Sequence, residues 1–201
     1  MSDSQLRELE RRWRETGSVE DEARYLLERV RVGDLEQEKL ELAAYCGYRG
    51  ALGAMGTRIE PEVSLDGLIA QASRLPMALF ALGFGVVSAY AARSEVRESQ
   101  VTTVLRRCLA WLSAPTLDLA SKAYRTPLNH WSSNSAQAAY ELRRAIRLVP
   151  DPELRKVHVS KVRAALQICV ADLGEPIVLR TGKDFLVKWI LNPELPSCTD
   201  V

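Results

Sequence analysis

Histidine and cysteine side chains are the groups in this sequence best suited to nucleophilic or general-base chemistry. The 201-residue chain has two histidines, His130 and His158, and four cysteines spread between Cys46 and Cys198. Such chemistry needs a nucleophile and a base within hydrogen-bonding reach. His158 shares an apolar helical stripe with Val162, which favours a hydrogen-bonded core residue, and no cysteines form a C-x-x-C pair. The pattern therefore favours buried, reduced thiols and predicts no catalytic set.

A polar segment over residues 129–134 (NHWSSN) separates two predicted helices and contains the second histidine. Functional residues are often found on loops that a rigid scaffold holds in place. His130 and Trp131 are therefore candidate binding residues. The alternative is a plain connector in which Trp131 packs inward.

Metal and phosphate sites have weaker support in the residue spacing. Metal-binding helices carry runs such as H-x-x-x-H on one face, and the sequence has none. Residues 181–184 (TGKD) are similar to part of a phosphate-binding loop, but Ile177 stands where that loop requires a glycine. We expect Gly182 to form a turn, Lys183 to begin the last helix, and the protein to use no metal or other cofactor.

Charge is divided unevenly along the chain. Residues 1–66 hold 10 basic and 15 acidic side chains, a net charge of −5, and residues 67–191 hold 17 basic and 9 acidic ones, a net charge of +8. The basic part either pairs with the acidic N-terminal part, contacts an acidic protein partner, or binds nucleic-acid phosphates. The last is disfavoured because the whole chain carries only +1 and has no recognition motif. The candidate partner-binding residues are Arg143, Arg144, Arg147, Lys156, Arg163, His130 and Trp131.

The elements that would position these residues are helices. Val19, Ala23, Leu26, Leu27 and Val30 form an apolar stripe with helical spacing, and similar stripes recur along the chain. Only residues 176–179 have a strand-like composition, and one short strand cannot form a sheet. The sequence predicts an all-α fold: a single domain over residues 1–192 with about eight to ten helices in antiparallel hairpins. A short α-solenoid is the alternative arrangement, and residues 193–201 are expected to form a flexible tail.

Residues 75–92 form a run without charged side chains, bounded by Arg74 and Arg93. Its length is near the lower limit of a membrane span, about 17–25 residues. Its glycines and alanines make it only weakly hydrophobic, which favours a helix buried at the centre of a bundle. A membrane-inserting segment and a ligand-lining helix are the alternatives.

Glycines recur at every third position in Gly47, Gly50, Gly53 and Gly56. Because each glycine in a helix interior costs about 1 kcal/mol, this spacing needs a structural reason. Close packing through a small-residue face is favoured. A mobile connector and a phosphate cradle are the alternatives.

Two segments resemble parts of known bacterial proteins. Residues 40–47 (LELAAYCG) follow an acidic helix start at Glu20 and a turn at Gly33. Together, over about residues 18–52, they resemble poorly characterised all-helical bacterial proteins with an LELAAYxG helix. Residues 106–115 (RRCLAWLSAP) are similar to a helix of bacterial immunity-type proteins, which neutralise toxins. These resemblances imply a helical protein that works by contact, with no enzymatic activity.

The expected function is non-enzymatic protein binding in the bacterial cytoplasm, as an immunity or scaffold protein. Residues 1–13 lack the apolar stretch of a secretory signal, which favours the cytoplasm. One alternative is a membrane-associated helical protein that inserts residues 75–92. The other is an enzyme of unknown class with a site near His130 or His158.

Overall fold

All the regular secondary structure that we describe is helical. The computed structural model describes residues 3–57, 59–93, 99–128, 133–146 and 154–192. Those ranges contain eleven α-helices and no strand, so the predicted all-α class is confirmed. The chain divides into two compact units, Met1–Ser64 and Leu65–Val201, which we call the N-terminal and C-terminal units. The single domain over residues 1–192 stays a prediction, and the predicted tail, residues 193–201, lies outside the described residues.

The N-terminal unit is built around its second helix. Its helices are α1 (Asp3–Thr16), α2 (Val19–Arg31), α3 (Gln37–Tyr45) and α4 (Arg49–Ala54). The start of α2 is set by Ser18, whose Oγ accepts a hydrogen bond from the Asp21 backbone N–H at 3.1 Å. Helix α2 contacts the other three, and Trp13 of α1 stacks on Tyr25 with ring centroids 5.3 Å apart.

The regularly spaced glycines serve two purposes in this unit. Gly47 and Gly56 lie just outside α4, with φ angles of 82° and 67° that other residues rarely adopt. Gly50 and Gly53 lie within α4 and face α2. A Cβ on Gly53 would be 3.2 Å from the Cβ of Ala23. The predicted close packing is therefore confirmed for the two glycines inside the helix.

The C-terminal unit surrounds one central helix. Its helices are α5 (Leu65–Ala72), α6 (Pro76–Arg93), α7 (Ser99–Ser113), α8 (Leu117–Tyr124), α9 (Asn134–Ile146), α10 (Arg155–Leu173) and α11 (Glu175–Leu191). Helix α6 contacts α5, α7, α9, α10 and α11. Contacts with helices so distant in sequence are those of a bundle, since a solenoid repeat contacts only its neighbours.

Residues 78–88 of α6 are buried, which confirms the prediction of a buried core helix in the uncharged run. Glycines let the neighbours of α6 come close: Gly83 faces Leu142 of α9 and Val162 of α10, and Gly85 faces Phe185 of α11. Among the described helices, none combines the length and the apolar character needed to cross a membrane.

The predicted start of the last helix was wrong. Helix α11 begins at Glu175 rather than at Lys183, and it includes the strand-like residues 176–179. Pro176 fits the first turn of a helix, where its missing N–H leaves no hydrogen bond unmade. Gly182 is an interior residue of α11, not a turn, and it packs on α6, where a Cβ would be 2.5 Å from Leu82 Cδ1. Close packing against α6 thus offsets the low helix propensity of glycine.

Candidate functional site

A surface groove lies between α2 and α4 in the N-terminal unit. Its volume is about 670 Å³. Both helices line it, together with the loop that follows α4. The lining residues are Val19, Glu20, Ala23, Arg24, Leu27, Arg49, Leu52, Gly53, Gly56, Thr57 and Glu60.

The floor of the groove is apolar because the residues at the contact of the two helices are small. Gly53 lies against Ala23, and buried Leu52 continues the apolar surface along α4. Leu27, one turn beyond Ala23 on α2, is 46% exposed. Helix α4 has only six residues and meets α2 through glycines, so it does not cover the far end of the α2 stripe. Part of the apolar stripe of α2 is therefore exposed to solvent.

The rim of the groove carries charges of both signs. Glu20 and Arg24 lie one turn apart on α2, Arg49 begins α4, and Glu60 follows in the loop. Arg24 Nη1 is 3.2 Å from Asp21 Oδ1, yet 58% of the Arg24 side chain is exposed. The other three rim side chains are also exposed. The groove thus combines an apolar floor with solvated ionic groups at its edges.

A partly buried hydrogen bond beside the groove joins α2 to the start of α4. The Tyr48 hydroxyl donates to Glu22 Oε1, and Glu22 is 9% exposed. Burial, followed by the hydrogen bond to Glu22, raises the pKa of Tyr48 above its ordinary value. Gly50 leaves the space that the carboxylate occupies, because a Cβ there would be 2.5 Å from Glu22 Oε2. The two walls of the groove are therefore held together before any ligand arrives.

Arg143, one of the predicted binding residues, supports the end of another helix. Its Nη1 donates to the Thr126 carbonyl oxygen, just after α8, and its guanidinium lies 4.9 Å from the Tyr140 ring centroid. Arg107 of α7 donates to the Lys122 carbonyl oxygen at 3.1 Å and to Thr126 Oγ1 at 2.9 Å. Cations placed there offset the partial negative charge of a helix C-terminus.

The remaining described basic candidates are mostly paired within the C-terminal unit. Arg144 Nη1 lies 3.6 Å from Glu141 Oε1, and Arg163 forms an ion pair with Asp66. Lys156 is exposed, and it shares a face of α10 with Arg163 because seven residues make almost two full turns. Most of these side chains thus already contact groups of their own unit. The other candidates, Arg147, His130 and Trp131, lie outside the described residues.

The described histidine and cysteines are core residues. His158 is 1% exposed, and its Nδ1 lies 3.2 Å from the Ala145 carbonyl oxygen. Burial raises the pKa of the Cys108 thiol to about 12, and burial together with nearby Asp172 does the same for Cys169. A thiol with so high a pKa is a poor nucleophile. Cys46 is buried like these two cysteines, and none of the three forms a disulfide, so the burial predicted for them is confirmed. Cys198 lies outside the described residues.

A second polar cluster joins three helices of the C-terminal unit. The Tyr90 hydroxyl of α6 and the Asn134 Nδ2 of α9 both donate to the carboxylate of Asp172 on α10. The bonds from Asn134 and Tyr90 lower the pKa of Asp172. Burial, then the bond to Asp172, raises that of Tyr90. The three side chains are hydrogen-bonded to one another, so the cluster acts as a structural tie between α6, α9 and α10.

Within the ranges we describe, no three His, Cys, Asp or Glu side chains are placed to hold a metal ion.

No protein-family model, curated protein or solved structure that we compared matches this chain.

The groove between α2 and α4 is the feature that the sequence interpretation missed. Its signal was present in the mismatch between the long apolar stripe of α2, from Val19 to Val30, and the short glycine-rich segment beside it. A stripe of that length needs a longer covering helix than residues 47–56 can supply.

Proposed function

We propose that the protein is a non-enzymatic protein-binding module and that the groove between α2 and α4 receives an amphipathic helix from a partner protein. One observation carries the proposal: an apolar floor, with Leu27 nearly half exposed at its end, is held open on two helices that are already packed together. Exposed apolar surfaces rimmed by polar residues are typical of interaction sites.

A helix is the partner structure that suits the dimensions of this groove. Val19, Ala23 and Leu27 are spaced four residues apart and extend over about 12 Å of α2, a little more than two turns. Small residues on the floor, Ala23 and Gly53, allow a second helix to approach closely. Helices that bind in such grooves insert apolar side chains at positions i, i+3, i+4 and i+7. Because the groove is a surface feature, it suits a polypeptide better than a small molecule, which is usually enclosed.

The biological role that we propose is contact-based, as an immunity protein that neutralises a toxin or as a scaffold, in the bacterial cytoplasm. The resemblance of residues 18–52 and 106–115 to bacterial proteins supports this role. Buried cysteines that form no disulfide, Cys46, Cys108 and Cys169, suit a reducing compartment. Exposed Lys156 on α10 supplies a further contact for an acidic partner.

A selection experiment tests the groove. The full-length protein is used to select from a displayed library of helical peptides of about 18 residues, or five turns. We expect enriched peptides with apolar residues at i, i+3, i+4 and i+7. Their affinity should fall by about tenfold or more in Leu27→Asp, because a polar group would then face the apolar anchors.

The matched control is Leu117→Asp, which changes an even more exposed leucine, 79% exposed, in the C-terminal unit. It should leave binding unchanged, and circular dichroism should show that both variants are folded. The proposal is wrong if no helical peptide is enriched. It is also wrong if the enriched peptides bind Leu27→Asp as tightly as the unsubstituted protein.

A further inference from the structure

We propose that three arginines around the end of α8 form a second binding surface, which accepts the carboxylates of an acidic segment of a partner protein. They are Arg107 of α7, Arg125 at the end of α8 and Arg143 of α9, and we call them the arginine cluster. The cluster lies in the C-terminal unit and uses none of the residues that line the groove. The two surfaces can therefore be tested separately.

Two arginines of the cluster are held on one residue. Arg107 Nη1 donates to Thr126 Oγ1 at 2.9 Å and to the Lys122 carbonyl oxygen at 3.1 Å. Arg143 Nη1 donates to the carbonyl oxygen of the same threonine. Thr126 is 3% exposed, and its Oγ1 donates in turn to the Lys122 carbonyl oxygen at 2.8 Å. Two guanidinium groups from different helices are therefore fixed close together on a buried residue.

Positive charge in this region exceeds what the end of α8 can neutralise. Residues 99–146, which include α7, α8 and α9, hold six basic and two acidic side chains, a net charge of +4. The partial charge at a helix C-terminus is only about half an elementary charge. Both carboxylates already have partners, since Asp118 lies 2.6 Å from a lysine of α8 and Glu141 lies 3.2 Å from a lysine of α10. Among the residues that the structure describes, no carboxylate forms an ion pair with the arginine cluster.

The arginine cluster keeps N–H donors for a ligand, because a guanidinium group carries five of them. In the part of the chain that the structure describes, Arg107 and Arg143 donate only through Nη1, and the Arg125 side chain donates to no group. Arg107 and Arg125 are exposed, and Arg143 is half-buried with its guanidinium 4.9 Å from the Tyr140 ring centroid. Since existing contacts already restrain two of the three side chains, ordering them on binding costs less.

The chemistry of the α8 end favours separate carboxylates over a compact phosphate ion. Phosphate sites typically use backbone N–H groups at a helix N-terminus. The end of α8 presents carbonyl oxygens instead, so an anion there is bound by arginine side chains alone. Carboxylates pair with guanidinium groups through two parallel hydrogen bonds, and an acidic peptide brings several carboxylates to arginines of different helices. Nucleic acid is disfavoured because the whole chain carries only +1.

Fluorescence anisotropy with the full-length protein tests the acidic ligand. The probe is a labelled peptide that alternates glutamate with serine, and its control has glutamine in place of glutamate. A labelled oligothymidylate of equal charge is the third probe, and inorganic phosphate at constant ionic strength is the competitor. We expect the glutamate peptide to bind most tightly, to resist displacement by phosphate, and to bind more weakly as salt screens the charges.

Substitutions at the two exposed arginines test the location of the site. Arg107→Gln/Arg125→Gln should weaken binding of the glutamate peptide by about tenfold, because each exposed ion pair contributes about two- to fivefold. Arg143 is left in place because it is half-buried and supports the end of α8. The matched control, Arg74→Gln/Arg180→Gln, removes the same charge from two other exposed arginines of this unit and should bind like the unsubstituted protein.

Circular dichroism should show that both double variants are folded. If Arg107→Gln disturbs α8, the single variant Arg125→Gln removes no contact that we describe and should still weaken binding by about two- to fivefold. Failure of the glutamate peptide to bind would overturn the proposal. Equal weakening in both double variants would also overturn it, since only the net charge of the unit would then matter. Tighter binding of oligothymidylate, or displacement of the peptide by phosphate, would contradict an acidic peptide as the ligand.

Discussion

The substitution Gly85→Ala tests how closely α6 and α11 pack. In an ordinary helix interior, replacing glycine by alanine stabilises the helix by about 1 kcal/mol. At Gly85, a Cβ would be 2.5 Å from Phe185 Cβ and closer still to the ring. We therefore expect the sign of the effect to reverse at this position.

The size of the reversal follows from the atoms involved. Overpacking a well-packed core costs about 1–3 kcal/mol. The cost should be near the upper end here because Phe185 Cβ is held close to the α11 backbone, and because Phe84 occupies the space beside the ring, with centroids 5.6 Å apart. After subtracting the gain in helix propensity, the free energy of unfolding should fall by about 2 kcal/mol. The corresponding decrease in Tm is about 4–8 °C.

Urea unfolding followed by circular dichroism measures the effect on the full chain. The double variant Gly85→Ala/Phe185→Ala is the control, because it removes Cγ and the rest of the ring, which the new methyl group would meet first. Its coupling energy should recover part of the loss after allowance for Phe185→Ala alone. If Gly85→Ala is as stable as the unsubstituted protein, or more stable, then α11 does not approach α6 as closely as described.

Three further predictions concern titratable groups. The folded-state pKa values of Tyr48 and Tyr90 are raised. Both hydroxyl groups should therefore stabilise the fold below about pH 10, and this contribution should be lost as pH rises. Tyrosinate absorbance from both residues should appear only as the protein unfolds. Early ionisation of both in the folded state would contradict this. The lowered pKa of Asp172 means that its contribution is present above about pH 4 and is lost in acid. Asp172→Asn should therefore destabilise at pH 7, and its difference from the unsubstituted protein should shrink toward pH 2; a constant difference would be evidence against the tie. Cys108 and Cys169 should resist alkylation at pH 8 until urea unfolds the chain, and labelling of either in the folded protein, read by mass spectrometry, would refute their burial.

Much of the architecture could be predicted because helical spacing and burial are local signals. The uncharged run over residues 75–92 indicated a helix covered on all sides, and α6 is that helix. The charge division also has a structural counterpart, since its boundary at residue 66 lies close to the boundary between the two units at residue 64. Gly50 and Gly53 were interpreted correctly because a glycine at helical spacing has few uses other than close approach.

The errors arose where tertiary contacts outweigh local preference. Gly182 has the propensity of a turn residue, yet packing on Leu82 keeps it inside α11. Arg143 stays a predicted binding residue, and its contact with the α8 terminus could not be predicted because spacing along the chain does not reveal where that terminus lies. Leu27 has the periodicity of the apolar stripe of α2, but that periodicity does not reveal its exposure, because α4 is only six residues long.

Methyl NMR gives the most direct test of helix binding in the groove. With leucine and valine methyl groups labelled, a helical peptide enriched in the selection should shift the signals of Val19, Leu27 and Leu52, which line the groove. The exposed methyl groups of Leu117 and Val157 in the C-terminal unit should keep their positions. Saturable shifts at the groove alone are the predicted result. Shifts at Leu117 or Val157 with none at the groove would contradict the proposal that this groove is the binding site.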